Sequence, residues 1–61
     1  MTTKCYYIED TITTAEIIKA LEMAIPCFTQ FDMLDDGYIE FCITCREADV
    51  QTVERYLAPI V

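Results

Sequence analysis

Histidine and serine are absent from this sequence, and glycine occurs once. These absences remove the usual materials of general acid–base and nucleophilic catalysis, and no glycine-rich loop is left to cradle a phosphate. Bases are scarce as well. Lys4, Lys19, Arg46 and Arg55 stand against eleven acids, for a net charge of −7. Binding DNA, RNA or an anionic membrane needs Lys and Arg gathered on one face, so direct contact with any of them is disfavoured. With two prolines and no low-complexity tract or repeat, the chain reads as regular structure with short connections. The longest uncharged run, Met23 to Phe31, falls far below the ~20 apolar residues of a membrane span. The N-terminus shows no basic segment followed by an apolar one, so it does not read as a signal peptide. A cytoplasmic protein with four reduced cysteines is the expectation.

What is present is apolar material. Hydrophobic residues make up 54% of the chain, above what a disordered segment carries, so the chain is expected to fold. At 61 residues it makes one domain, 1–61. A domain of this size buries only about 60% of its unfolded surface, which leaves a marginal core.

Lys4 to Ile8 is rich in Tyr and Ile and reads as a strand, with its inward face either Cys5 and Tyr7 or Tyr6 and Ile8. Thr13-Thr14-Ala15-Glu16 matches a capping box with Thr13 as N-cap, and Ile12 and Ile17 have the spacing of a hydrophobic staple. A helix is therefore expected from Thr14, with Ile17, Ile18, Leu21, Ala24 and Ile25 as its buried stripe and Pro26 ending it. Two strands, Cys27 to Leu34 and Tyr38 to Cys45, flank Asp35-Asp36-Gly37, the pattern of a type I turn with a G1 bulge. That turn pairs Met33 with Ile39, Phe31 with Phe41, Thr29 with Ile43 and Cys27 with Cys45, gathering the apolar residues on one face. A two-residue turn slips the register by one and mixes the faces. A second helix is expected from Glu47 to about Ala58, with Val50, Val53, Leu57 and Ile60 inward.

The fold class is α+β in the order β-α-β-β-α: a three-stranded, mainly antiparallel sheet with both helices on one face. A right-handed crossover makes the first and second strands parallel, with the third inserted between them. The arrangement resembles a ferredoxin-like split βαβ unit without its last strand, a likeness of architecture that implies no activity.

Four cysteines would suffice for tetrahedral zinc by number, and Cys42-Ile43-Thr44-Cys45 is a CxxC. In an extended strand, however, residues three apart point to opposite faces, so neither metal nor essential disulfide is expected there. Acids at Glu40, Glu47 and Asp49 also oppose a low thiol pKa, which weakens a redox reading. The acid-rich hairpin from Asp32 to Glu40 lacks the alternate ligands of a calcium loop. No catalytic, metal or cofactor-binding residue is assigned.

The outward sheet face carries the functional expectation. It holds Phe28, Gln30, Asp32 and Leu34 on one strand and Tyr38, Glu40, Cys42, Thr44 and Arg46 on the next, with Tyr6 and Ile8 as further candidates. Phe28, Asp32, Leu34, Asp35, Asp36, Tyr38 and Glu40 are the candidate protein-binding residues. Asp32 would face Glu40 directly, a destabilising like-charge pair that a binding role would explain. The reading is a non-catalytic acidic interaction module that binds a basic or nucleic-acid-binding protein, in the manner of a small phage- or plasmid-type inhibitor that mimics nucleic acid, and that forms a homodimer. The alternatives are a cysteine-based metal-binding or redox module and a structural subunit of a larger assembly.

Overall fold

The computed structural model describes all 61 residues. Strand β1 spans Thr2–Glu9, helix α1 Ile12–Ala24, strand β2 Cys27–Met33, strand β3 Tyr38–Cys45, and helix α2 Val50–Leu57, the last entered through a 3-10 turn at Glu47–Asp49. The sheet order is β1-β3-β2, and both pairings are antiparallel. β1 and β2 thus run parallel to each other with β3 between them, the expected α+β topology. The hairpin register is also as read from the turn: Met33 faces Ile39, Phe31 faces Phe41, Thr29 faces Ile43 and Cys27 faces Cys45. Gly37 takes φ 82°, the left-handed conformation that the bulge requires and a side chain resists. The Asp36 carboxylate accepts from the Tyr38 amide and fixes the turn.

The core lies between the sheet and both helices. Ile39, Phe41, Ile43 and Cys45 alternate along β3 and are all buried against Ile18 and Leu21 of α1 and Val53 and Leu57 of α2. On β1 the inward residues are Ile8, which is buried, and Tyr6, which packs against the core's edge. The two residues proposed for the outward face from this strand are therefore inward ones, and Cys5 and Tyr7 take their place outside. Ile8, opposite Ile39, is drawn into the core, and parity then sends Cys5, Tyr7 and Glu9 outward.

The start of α1 differs from the expected capping box. Thr11, not Thr13, is the N-cap: its hydroxyl oxygen accepts from the Thr14 amide at 3.1 Å. The Thr14 hydroxyl donates to the Glu9 carbonyl at 2.7 Å, and the Thr11 hydroxyl donates to Thr14 Oγ1 at 3.1 Å. Thr14 is only 2% exposed, so this network ties the helix start to the end of β1. Ile12 is 79% exposed and forms no staple. The physical reason is that a cap at Thr11 lets Thr14, Ile18 and Leu21 share the inward face. Three threonines within four positions offer competing caps, and that packing selects among them.

Thr11→Ala should cost about 1 kcal/mol, the usual size of a lost N-cap. Thr14→Ala should cost about 1–2 kcal/mol, because it leaves a carbonyl without its buried donor. Thr13→Ala and Ile12→Ala should stay within about 0.5 kcal/mol of the parent, as exposed substitutions do. Urea unfolding of the four variants checks the ranking, and a Thr13 loss as large as that of Thr11 would return the cap to Thr13.

Candidate functional site

Two surfaces result from this architecture, one on each side of the sheet. The first is the outward face, which no helix covers. Across its three strands run the rows Thr3–Thr44–Phe28, Cys5–Cys42–Gln30 and Tyr7–Glu40–Asp32, followed by Glu9 beside Tyr38. Asp32 and Glu40 are direct cross-strand partners, as expected. Asp35 and Asp36 lie in the turn at the same end of the sheet, with Leu34 half-buried beside them. The acids and Tyr38 thus form one cluster. Phe28 stands apart from it: four residues along β2 place it about 13 Å from Asp32. Tyr7 and Glu9 join the acidic end; the sequence left the face of Tyr7 open, and the expected strand stopped at Ile8, short of Glu9.

The electrostatics of that end are one-sided. The sole ion pair in the chain joins Arg46 to Asp49 at 2.9 Å, at the far end of β3. No cation is paired with Asp32, Glu40, Glu9, Asp35 or Asp36. Like charges set opposite one another across a ladder destabilise it, and nothing within the fold offsets them here.

The cysteines depart from expectation. Cys5 and Cys42 form a disulfide on the outward face. The expectation of four reduced thiols without a structural disulfide is thereby overturned: it was argued from Cys42 and Cys45 on opposite faces, and the bond forms instead across the β1–β3 ladder. With Cys5 outward, it stands directly across from Cys42, and their Cα atoms are 4.0 Å apart. Closely spaced pairs of this kind are the ones not bridged by backbone hydrogen bonds. Cys42 and Cys45 lie on opposite faces of β3, so the CxxC does not act as a unit. Cys45 is buried and Cys27, its partner across the ladder, is half-buried; both are free thiols. Burial pushes the Cys27 thiol up, and the nearby Glu22, Cys45 and Asp49 add to that, the opposite of an activated nucleophile. No three His, Cys, Asp or Glu side chains, the acids at the Asp32–Glu40 end included, converge closely enough to hold a metal ion.

The second surface is a groove of about 370 Å³ on the helix side. Phe31, Met33 and Ile39 form its floor, and Ala15, Lys19 and Glu22 of α1 form its wall. Phe31 and Met33 lie on the apolar face that the register gathers, yet they are 49% and 72% exposed. The cause is legible on α1. The stripe that faces the end of β2 is Ala15, Lys19 and Glu22, at helical spacing, and these residues are too small or too polar to close over it. The Thr29 hydroxyl donates to the Glu22 carboxylate at 2.6 Å, which helps hold the groove's wall.

The disulfide closes a loop across a sequence separation of 37. Replacing Cys5 and Cys42 with Ser should lower stability by about 2–4 kcal/mol, by releasing the unfolded chain. The fold should survive, because the core lies on the other side of the sheet; urea unfolding with and without a reductant measures the loss, and a difference near zero would count against the cross-link. Against protein-family models, curated proteins and solved structures the chain finds no match, so the reading of the site rests on its own geometry.

Proposed function

We propose that the protein is a non-catalytic interaction module whose acidic outward face binds a basic partner protein, as an inhibitor or regulator occupying that partner's cationic surface. The observation that carries the reading is the Asp32–Glu40 pair, held opposite one another and flanked by Glu9, Asp35 and Asp36 with no cation beside them. A cationic partner relieves that repulsion and gains from it, and opposite fields speed the encounter. Tyr7 and Tyr38 supply amphipathic contact area at the same end, the residue type that favours interfaces. The Cys5–Cys42 bond bears on the compartment. The cytoplasm, expected from sequence, keeps thiols reduced. A working form there carries the bond open and relies on the β1–β3 ladder alone.

The test is affinity capture at low and high salt with the parent protein and with an Asp32→Asn, Glu40→Gln double variant. The parent should retain a basic protein at low salt and release it as salt screens the contact. The double variant should bind about tenfold more weakly, yet unfold at higher urea, since it removes a like-charge pair. Capture insensitive to both salt and substitution would refute the acidic face.

Self-association is the second reading, favoured by the two open sheet edges and by the exposed Phe28. At −7 per chain, copies repel, so a homodimer should tighten as ionic strength rises, the reverse of a basic partner. Light scattering across salt concentrations decides it: a monomer at high protein and high salt removes the homodimer.

A further inference from the structure

The groove and the open edge of β2 lie side by side, and together they describe a ligand more closely than either does alone. The Leu34 amide donates to the Tyr38 carbonyl at 2.9 Å. In an antiparallel ladder the bonded pairs alternate, so Asp32–Glu40, Gln30–Cys42 and Phe28–Thr44 share that bonded geometry. The N–H and C=O groups of Thr29, Phe31 and Met33 therefore point away from β3, toward the open edge. A strand added there would find its hydrogen-bonding partners already aligned.

β2 is also the least covered strand. None of its residues is buried, whereas the other edge strand buries Ile8. Cys27 to Phe31 carries no charge, so this stretch of edge lacks the lysines and prolines that commonly block strand pairing. On the helix side the strand presents Phe31 and Met33 at the mouth of the groove. On the outward side it presents Asp32, backed by Glu40.

We propose, building on the acidic-face reading above, that β2 binds an extended segment of the partner by strand addition, and that this segment alternates apolar with basic residues. Its apolar side chains turn over Phe31 and Met33 into the groove beside Ala15. Its basic side chains turn to the outward face, toward Asp32 and Glu40. Charge selects a cationic segment over a second copy of β2, which is itself anionic and belongs to a chain of net charge −7.

The probes are two synthetic peptides of equal composition and charge: one alternates valine and lysine, and the other groups its valines and its lysines in separate blocks. Binding is followed by titration calorimetry and by amide exchange in the full-length protein. The alternating peptide should bind about tenfold more tightly and should slow exchange at the Thr29, Phe31 and Met33 amides, which strand addition pairs. Thr29→Pro removes one edge donor, and the hydroxyl bonded to Glu22 with it, without touching the ladder to β3, and should weaken the protection left at Phe31 and Met33 more than Thr29→Val does, while the circular dichroism spectrum is unchanged. A second variant, Met33→Lys, should weaken the alternating peptide and leave the block peptide's binding no tighter than the parent's. Equal binding of both peptides, with responses confined to the region of Asp32 and Glu40, would overturn strand addition and leave the acidic face standing. No binding of either peptide at low salt would remove both. Protection of the β2 edge without peptide, rising with protein concentration, would assign the edge to a second copy and overturn the proposal.

Discussion

The structure depends on β3 having a neighbour on each side. It is the only strand so placed, and it alone sends every inward residue, from Ile39 to Cys45, into the core. A strand held on both sides gives the two helices one firm surface to pack on, and Val53 and Leu57 meet Ile18 and Leu21 over it. With only three strands, a centre of this kind leaves two edges. The exposed backbone of β1 and β2 is therefore a consequence of the sheet's size. A marginal core cannot spare further residues to cover them.

The strict alternation of β3 also divides the chain's chemistry. Along it Glu40, Cys42 and Thr44 go outward, while Ile39, Phe41, Ile43 and Cys45 go toward the helices. The Cys5–Cys42 bond sits on the polar side and ties β1 to β3 where no helix adds weight. The two free thiols lie on the apolar side, where burial makes them small hydrophobic residues. One ladder thus places four cysteines in two unlike environments, and the CxxC spacing conceals that.

Much of the fold was legible because independent signals agreed. Asp35-Asp36-Gly37 set the hairpin register, and that register gathered the apolar residues on one face; each supports the other. Pro26 ended α1 where expected, and the spacing of Val50, Val53 and Leu57 marked the inner face of α2. Reading failed where one short signal stood alone. Thr11, Thr13 and Thr14 all offer caps, and only tertiary packing of Thr14 against the end of β1 chooses among them. The faces of β1 rested on alternation between similar residues, and only the pairing of Ile8 with Ile39 broke the tie. The acidic end of the site was legible as residue types. Its extent across β1, and the disulfide beside it, were not, since both depend on that face. The exposure of Phe31 and Met33 was not legible because parity gives direction but not coverage, and coverage depends on Lys19 and Glu22 of another element.

The acids and the open edges make most sense together. A domain this small with two unpaired edges is exposed to indiscriminate strand pairing, including pairing with itself. Proteins commonly block such edges with lysine, proline or a bulge inside the strand, and β2 carries none of these along its uncharged stretch. Its one charge is Asp32 on the outward face, backed by Glu40 of β3, and further acids lie across the whole chain. Charge so placed repels a copy of the same chain while leaving the backbone of the edge free. On the proposed reading, discrimination is by the sign of the partner's charge and not by closing the surface. The cost is the unrelieved Asp32–Glu40 opposition across the β2–β3 ladder. On this argument the like-charge pair and the uncovered β2 are two parts of one device, and the proposed basic partner is the molecule for which both are favourable.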